Sequence, residues 1–365
     1  MPQKKLYEII IESIQKKIEN NDFSFESPIC TESQLMEEFH VSRITAKRAI
    51  TELEYQGILY RKRGVGSFVA RDIFHKQGQI TAAPKVCAFV LPFTIHQENI
   101  FRMISKINGR LSTSNCFLSL FITDGSKSKE QTVLKQLLEQ SVSGVLYYPI
   151  SANIHLDLLN QFVFRGIPVI VLDQPVTAPY LYNVLCDNFS GGKQLTEHLI
   201  SLGHQKISFF AISNLDMIPS VAERLGGYLK AMKDAELPVI PELIVHHTCI
   251  DDTDSLKNRL LEIHNAGATG IICENDGVAQ ALIEASASLG LSVPQDISIC
   301  GFSDDFDHIT SIYQNEELMA EHVGEIFYRE ISGLRTENRR ILVPAELHAK
   351  DSTGVCLQHT VQEKQ

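Results

Sequence analysis

The sequence lacks any run of about 18 or more apolar residues, the length that a membrane-spanning helix requires. Its N-terminal segment also lacks the apolar core and the small-residue cleavage site of a secretory signal peptide. The chain has 365 residues, of which 44% are hydrophobic, and this is enough for two or three domains with full cores. We therefore expect a soluble, cytoplasmic protein with no membrane partner.

The motifs of several common enzyme classes are also missing. There is no G-x-G-x-x-G run after a strand, no Walker A run, no G-x-S-x-G and no H-E-x-x-H. The eight cysteines are scattered without a C-x-x-C pair, and most lie in apolar, strand-like runs. These absences favour a protein that is not an enzyme, that uses no cofactor or metal, and whose cysteines are reduced and buried.

Charge is distributed unevenly along the chain. The formal net charge is -11, yet basic and acidic side chains balance within residues 1–72, so the whole negative excess falls on the remainder. Between Val41 and Arg63, six basic residues stand against two acidic ones. A local basic cluster of this kind suits directed contacts with phosphates and disfavours a general polycation role.

Residues 31–70 predict a helix, a tight turn, a second helix and a two-stranded hairpin in unbroken succession. Thr31 is the expected N-cap of the first helix, with Gln34 completing a capping box. Ser42 is the expected cap of the second helix. The core face of that helix consists of Ala46, Ala49, Ile50 and Leu53. A preceding helix over 4–23, with Leu6, Ile9, Ile10, Ile14 and Ile18 on one stripe, is expected to pack behind, so the segment predicts a winged helix-turn-helix for duplex DNA.

The opposite face of the second helix is basic, and the tip of the hairpin is basic and rich in glycine. Arginine can read guanine edges, lysine can bind phosphates, and an apolar side chain can sense a thymine methyl group. The residues expected to contact DNA are Thr31, Ser33, Ser42, Arg43, Ile44, Thr45, Lys47, Arg48, Arg61, Arg63, Gly64 and Gly66. The competing interpretation is a three-helix cap whose charges are merely solvated.

The first seventy residues closely resemble the DNA-binding domain of the gluconate-repressor (GntR) family. The match is carried by VSRITAKRA in the second helix, LEYQGIL at the turn and GVGSFVA in the wing. One departure is ICTE at 29–32, where that family usually has a leucine-proline-serine-glutamate run. The resemblance implies operator binding, and we expect the departure to alter a loop without altering the activity.

Domain boundaries follow from the change in pattern after this unit. The expected domains are a winged helix-turn-helix over 1–72, a polar linker over 73–84, and a larger body over 85–365. In the body, apolar runs of strand length alternate with amphipathic stretches of helix length, which predicts an α/β fold with parallel sheets covered by helices. The body is too long for one small sheet and is expected to form two lobes, with ligands at the carboxyl ends of the strands.

Residues 85–355 resemble the effector domain of the lactose-repressor (LacI) family, which is itself similar to periplasmic sugar-binding proteins. The match is carried by PVIVLDQP at 168–175, VLCDNFSGGKQLTEHLISLGHQKISFF at 184–210, SVAERLGGYLKAM at 220–232 and the run from 270 to 305. The resemblance implies a two-lobed, periplasmic-binding-protein-like domain that dimerises and holds a small polar molecule between its lobes.

Three positions carry the ligand contacts of that family over to this chain. Arg224 and Asn275 match its contacting arginine and its asparagine or aspartate. At the third position Ser303 stands where an aspartate is usual, and Asp304 follows it. Strand ends supply weaker candidates, which are Phe93, Thr94, Tyr147, Tyr148, Asp173, Gln174, Phe306 and Gln314. Asn275 is equally an expected N-cap, and His204 is expected to be structural.

Together the two resemblances imply a ligand-responsive transcriptional regulator. We expect a homodimer that binds a palindromic operator and is released when a small sugar, with a pentose such as arabinose favoured, occupies the body. The sequence leaves two points open. The protein could repress or activate transcription, and its effector could be a sugar, a nucleobase or another small metabolite. A soluble sugar-binding module would fit the body, but it would leave the DNA-binding head unexplained.

Overall fold

The computed structural model describes two units, one ending at Val69 and one beginning at Pro84. Four predicted site residues lie outside the described residues, namely Arg63, Gly64, Phe93 and Thr94, as does the predicted linker up to residue 83. The described residues are 5–19, 23, 27–55, 58–62, 65–69, 84–92, 98–152, 154–215, 218–246, 252–334 and 336–356.

The first unit is the predicted winged helix-turn-helix. Its elements are α1 (Leu6–Glu19), α2 (Glu32–Phe39), α3 (Arg43–Tyr55), β1 (Leu59–Lys62) and β2 (Gly66–Val69). The two strands pair antiparallel, with Leu59 opposite Val69. The predicted core face of α3 is buried throughout, and it packs with α1, α2 and β1 into one apolar cluster.

Local signals place the start of α2 where the sequence predicts it. The Thr31 hydroxyl accepts a hydrogen bond from the Gln34 amide at 3.2 Å, and the Gln34 side chain accepts one from the Thr31 amide at 2.9 Å. The predicted stripe on α1 is only partly right, because Leu6 and Ile9 are 57% and 40% exposed. The buried row consists of Ile10, Ile14 and Ile18, which recur every four residues, while Ile9 is one position off that row and Leu6 begins the helix.

The second unit contains the remaining elements. In chain order they are β3 (Lys85–Leu91), α4 (Glu98–Ser112), β4 (Cys116–Ile122), α5 (Lys127–Glu139), β5 (Gly144–Tyr147), α6 (Leu156–Phe164), β6 (Val169–Leu172), β7 (Tyr182–Cys186), α7 (Asn188–Ser201), β8 (Ile207–Phe210), α8 (Pro219–Asp234), β9 (Ile244–Val245), α9 (Thr253–Asn265), β10 (Gly270–Cys273), α10 (Asp276–Ser288), β11 (Ser298–Cys300), β12 (Ser311–Tyr313), α11 (Glu316–Ile331), β13 (Arg340–Val343) and β14 (Glu346–His348).

Two parallel sheets divide this unit into two lobes. Lobe 1 is built on a six-stranded sheet with the order β13-β7-β6-β5-β3-β4, and lobe 2 on a four-stranded sheet with the order β11-β10-β8-β9. Neighbouring described strands in both sheets run parallel, as predicted. Strands β12 and β14 form a separate antiparallel pair.

Helices cover both faces of each sheet. In lobe 1, Phe89 packs under α4 and α11, whereas the next residue, Val90, packs under α5 and α6. In lobe 2, Phe210 packs under α9 and α10, and Phe209 packs under α7 and α8. Alternate residues of one strand therefore fill two separate cores, which explains why the strands read as continuous apolar runs.

Helices α7 and α8 cross at unusually short range because each has a glycine at the crossing. A Cβ atom on Gly192 would overlap the carbonyl oxygen of Arg224, and one on Gly227 would overlap that of Phe189. The crossing sets the start of α7 directly beside Arg224 on α8.

Two structural predictions concern cysteine and histidine. Of the seven described cysteines, all are free thiols, and six of them are buried. His204 is buried, with its ring nitrogens 2.9 Å from the Thr269 hydroxyl and 3.0 Å from the Gly354 carbonyl oxygen, so its predicted structural role is confirmed. Within the described ranges, none of the helices combines the length and the apolar character needed to span a bilayer.

Candidate functional site

The outward face of α3 presents the side chains that the sequence singled out for DNA. Ile44 is 81% exposed, and the Arg43 side chain is 77% exposed. Lys47 and Arg48 are also exposed on this helix. The Ser42 hydroxyl accepts a hydrogen bond from the Thr45 amide at 3.3 Å, so Ser42 starts the helix as predicted. An apolar side chain held open to solvent between cations is what base-edge contacts in a major groove require.

A carboxylate that the sequence reasoning missed links this face to the wing. Glu32 accepts a hydrogen bond from Nε of Arg43 at 2.9 Å, and it lies 3.8 Å from Nη1 of Arg61. The hydrogen bond from Arg43 lowers the pKa of Glu32, so the carboxylate stays ionised. Arg61 is paired in addition with Glu54 at 3.2 Å. Glu32 thus joins the exposed helix and the wing by their arginines.

Two other residues predicted to contact DNA, Arg48 and Gly66, pack against neighbouring residues of the winged helix-turn-helix. The Arg48 guanidinium carbon lies 4.1 Å from the centre of the Tyr7 ring on α1, a cation–π contact. Gly66 has a φ of +147°, and a Cβ there would come within 2.7 Å of the Pro28 Cβ. The glycine is therefore needed to bring the wing close to the loop before α2. Ser33 is exposed on α2.

The second unit encloses a cavity of about 350 Å³, called here the cleft, whose wall comes from both lobes. Several strands end at it, since Tyr148 follows β5, Asp173 follows β6, Ser213 follows β8 and Glu274 follows β10. Predicted residues that line it are Tyr148, Asp173, Gln174, Arg224, Asn275, Ser303 and Gln314, and polar residues that were not predicted are Asn99, Ser213, Ser220 and Glu274. The cleft lies where parallel α/β sheets usually bind ligands.

Arg224 is the cation of the cleft, and it is only 6% exposed. Its Nε donates to Oδ1 of Asn188 at 2.9 Å, and its Nη1 donates to the carbonyl oxygen of Glu274. The guanidinium carbon lies 3.7 Å from the centre of the Phe302 ring. One contact from α7 and two from residues just after β10 and β11 therefore fix the plane of the Arg224 guanidinium before any ligand is bound.

Glu274 is the buried carboxylate of the cleft wall, with 3% of its surface exposed. Its Oε2 accepts hydrogen bonds from the amides of Ile212 and Ser213 at 3.0 and 2.9 Å, and its Oε1 accepts one from the Ser213 hydroxyl at 3.0 Å. Burial raises the pKa of Glu274, although these hydrogen bonds oppose the shift. The side chain ties the end of β10 to the end of β8, which shapes one side of the cleft.

Asn275 is the N-cap that the sequence predicts and also lies at the cleft, while its contact with a ligand stays a prediction. Its Oδ1 accepts a hydrogen bond from the Val278 amide at 2.9 Å, which makes it the N-cap of α10. It also lines the cleft. Capping uses the oxygen, and the amide nitrogen lies 3.4 Å from Oε1 of Glu274. The cap thus fixes the orientation in which the amide group meets the cleft.

Three of the described effector candidates do not line the cleft. Tyr147 is fully buried in the apolar cluster under α5 and α6, because successive residues of a strand point to opposite faces and Tyr148 takes the cleft side. Asp304 is drawn to the other side by Lys350 and His348, whose nitrogens lie 2.6 and 2.9 Å from its carboxylate. Burial raises the pKa of Asp304, but these two hydrogen bonds outweigh it, and the pKa is lowered. Phe306, a weaker candidate, packs against the core of lobe 2.

The fold and the cleft define a class of protein with a winged helix-turn-helix head and a two-lobed, periplasmic-binding-protein-like body. Comparison with known families places each part. Residues 6–69 match the family described as "Bacterial regulatory proteins, gntR family", and residues 196–353 match the "Periplasmic binding protein-like domain". The chain therefore carries a GntR-type helix-turn-helix domain followed by a periplasmic-binding-protein-like domain, as both resemblances implied.

Two relatives that match over most of this chain are named as repressors. The chain is 28% identical over 313 residues to an "Arabinose metabolism transcriptional repressor" of Halalkalibacterium halodurans, covering 84% of this chain and 82% of the relative. It is 28% identical over 349 residues to a protein of the same name from Geobacillus stearothermophilus, covering 86% and 92%. A LacI family transcriptional regulator from Enterococcus faecium, solved with bound ribose, superposes with a TM-score of 0.64 at 22% identity, covering 74% of this chain and 99% of that one.

Proposed function

We propose that this protein is a transcriptional repressor that binds operator DNA through its winged helix and is released when a small sugar, arabinose first among them, binds in the cleft. The observation that carries the proposal is a preformed polar cleft of about 350 Å³ in the same chain as a GntR-type head. The two arabinose-repressor relatives, which match over most of their own length, support both the sign of control and the sugar. No catalytic role is assigned, and the proposed site of action is the cytoplasm.

The chemistry of the cleft favours an uncharged polyhydroxy ligand. Amides, hydroxyls and two carboxylates line it, and such groups can donate to and accept from vicinal hydroxyls. Its charged groups are the cation Arg224 and the acids Asp173 and Glu274. Because these acids offset the charge of Arg224, the cleft offers a phosphorylated sugar no net positive charge.

The DNA contacts are proposed for the exposed face of α3 and for the wing. Arg43 and Ile44 are the proposed base readers, since they project furthest from the buried face near the start of α3. Lys47 on α3 and Lys62 in the wing are the proposed phosphate contacts. Arg61 contributes through Glu32, to which it and Arg43 are both paired.

A homodimer is proposed because a palindromic operator requires two heads. Apolar side chains are exposed on neighbouring elements of lobe 1, with Phe101 on α4 62% exposed and Phe117 on β4 59% exposed. Strand β4 is the edge of the lobe 1 sheet among the described strands. An exposed apolar patch next to a sheet edge suits an isologous contact between two copies.

The experiment that tests the proposal has two stages. The full chain is first screened by thermal shift against pentoses, hexoses, sugar phosphates and nucleobases, because a ligand that binds the folded state raises Tm. Binding to a duplex selected from a random library is then measured by fluorescence anisotropy with and without the ligand. We expect arabinose to raise Tm and to weaken duplex binding, and a tenfold weakening corresponds to about 1.4 kcal/mol of coupling. If a nucleobase had these effects and arabinose did not, the effector would be a nucleobase and not a sugar. If the protein bound the selected duplex no more strongly than random competitor DNA, the proposed function would be overturned.

A further inference from the structure

Two helices that begin at the cleft are each capped by a side chain from the opposite lobe. The amide of Asn99, in the first turn of α4 in lobe 1, donates to Oδ1 of Asp305 in lobe 2 at 2.7 Å. The amide of Ser220, in the first turn of α8 in lobe 2, donates to Oε1 of Gln174 in lobe 1 at 3.2 Å. First-turn amides have no acceptor within their own helix, so each lobe supplies what the other lacks.

The Asp305 cap is part of a larger bridge between the lobes. Arg102, one turn into α4, lies with Nη1 3.6 Å from Oδ1 of Asp305. Its Nη2 donates to the carbonyl oxygen of Ser303 at 3.1 Å and to Glu316 of lobe 1 at 2.9 Å. The Asp305 amide in turn donates to buried Asp276 at 2.7 Å. Arg102 of lobe 1 and Asp305 of lobe 2 thus pair with each other at the start of α4. Arg102 also holds the backbone of Ser303, which lines the cleft.

The bridged loop holds an unfavourable backbone conformation. Ser303 has a φ of 137° and Asp304 a φ of 61°, both in the region that residues other than glycine rarely adopt. The loop is held by Arg102 from lobe 1 and by Ser311, whose hydroxyl accepts from the Asp304 amide at 3.0 Å. Such a conformation persists only where the surroundings enforce it, so the bond from the opposite lobe helps to place the Ser303 side chain at the cleft.

The second cap lies on another part of the cleft wall. The Gln174 side chain accepts from the Ser220 amide through Oε1 and donates through Nε2 to the Ser220 hydroxyl at 2.6 Å. Gln174 is 4% exposed and Ser220 is 2% exposed, so neither group has free access to water. Separation of the lobes would strip this pair and the Asp305 pair together. Both capped residues, Asn99 and Ser220, line the cleft.

We propose that Asp305 and Gln174 form a reciprocal latch, in which each lobe caps a helix of the other and so holds the lobes in the arrangement that completes the cleft. The two side chains are positioning residues for effector binding. They set the population of the closed arrangement, on which apparent ligand affinity depends. Only this last step rests on the proposed function, because the latch itself requires neither sugar nor DNA.

The latch predicts that loss of one cap loosens the other. In amide hydrogen exchange of the full-length protein, Asp305→Ala should speed exchange at Ser220 by roughly tenfold or more, the effect expected for loss of a hydrogen bond to a charged group. The reciprocal variant, Gln174→Met, should speed exchange at Asn99. If each side chain stabilised only the helix that it caps, exchange at the amide of the other capped helix would not change. The exchange rate therefore separates a latch from a local structural role.

Two matched variants serve as controls. Asp252→Ala removes the carboxylate that caps α9 within lobe 2, where it accepts from the amides of Asp254 and Ser255. Arg110→Met removes an α4 arginine that pairs with Glu317 and Glu321 of α11 within lobe 1. Both should leave exchange at Asn99 and Ser220 as in the unmodified protein.

The decisive result is the rate of amide exchange at the helix whose cap is not mutated. It is read in a variant whose β8 amides still exchange as slowly as in the unmodified protein, so that the fold is known to be intact. Unchanged exchange at Ser220 in Asp305→Ala, with faster exchange at Asn99, would show two independent caps and overturn the latch. If Asp305→Ala fails to fold, Gln174→Met decides alone through the rate at Asn99. A latch without any sugar response would instead count against the proposed function and leave the latch intact.

Discussion

The guanidinium of Arg224 stacks on Phe302, with 3.7 Å between its central carbon and the centre of the ring. Phe302 stands two residues after β11, and Arg224 lies in the second turn of α8, so the contact joins two elements of lobe 2 beneath the cleft. A stacked, doubly hydrogen-bonded arginine has little rotamer freedom left to lose when a ligand binds. The cleft therefore meets its ligand with a donor already in place.

The first prediction is that Arg224→Lys weakens effector binding while leaving operator affinity intact. A lysine ammonium cannot stack as a plane on Phe302 while donating to both Asn188 and Glu274. We expect a loss of about 2 kcal/mol or more, or roughly thirtyfold in Kd, by calorimetry with the sugar that raises Tm. Arg259→Lys, at an exposed pair with Glu262, is the control. An unchanged effector response in Arg224→Lys would place the effector elsewhere.

The second prediction separates base reading from phosphate contact in the head. Arg43→Ala should weaken binding to the selected duplex by about 1–3 kcal/mol while changing binding to random DNA much less. Lys62→Ala should weaken binding to both alike and flatten the dependence on salt. Anisotropy titrations over a series of salt concentrations measure both effects. Equal losses on selected and random DNA for Arg43→Ala would refute its reading role.

The third prediction concerns the crossing of α7 and α8. Gly192→Ala should destabilise the body by about 3 kcal/mol and weaken effector binding, because the added Cβ overlaps the backbone of Arg224 and forces the helices apart. The matched change Gly109→Ala, in α4, meets no atom within 4 Å and should stabilise by about 0.5–1 kcal/mol. Thermal unfolding of the two variants gives the comparison. Equal stability of the two would mean that the crossing tolerates a wider spacing.

The head and the alternating strands and helices of the body could be predicted because their signals are local. Capping at Thr31, the apolar row of α3 and the alternation of strands with helices each depend on residues within one or two turns of each other. Arg224 and Asn275 came instead from the resemblance to the LacI family, because each stands in a continuous run that matches it. Periodicity and caps thus predicted the elements, and the resemblance predicted two residues that line the cleft.

The rest of the site depends on residues far apart in the chain. Glu274 reaches the cleft wall through amides some sixty residues earlier, and Asp304 is drawn from it by Lys350 and His348 more than forty residues later. The adjacent pair Tyr147 and Tyr148 could not be divided by sequence, because a strand buried on both faces gives no alternation. Glu32 escaped notice because its partner Arg43 lies across the turn.

The last prediction concerns pH and a buried acid beneath the cleft. Glu130 on α5 is fully buried, with Oε1 3.4 Å from the Ile150 amide and Oε2 3.5 Å from Nε2 of His155. Burial raises the pKa of Glu130 to about 7, although the nearby Tyr147 hydroxyl opposes the shift. The folded protein therefore binds this proton more tightly than the unfolded chain, whose carboxyl keeps its ordinary pKa of 4.5. Stability from this group is present below pH 4.5 and is lost as pH rises to about 7.

Glu130→Gln should abolish that loss, because the neutral amide resembles the protonated acid at every pH. Near pH 4.5 we expect the variant and the unmodified protein to be equally stable. Above pH 7 we expect the free energy of unfolding of the variant to be higher by about 3 kcal/mol. Burial lowers the pKa of His155, which favours the neutral ring beside Glu130. Paired thermal melts across this range measure the difference, with the exposed Glu139→Gln as control. A difference in Tm that does not vary with pH would show that folding does not raise the pKa of Glu130.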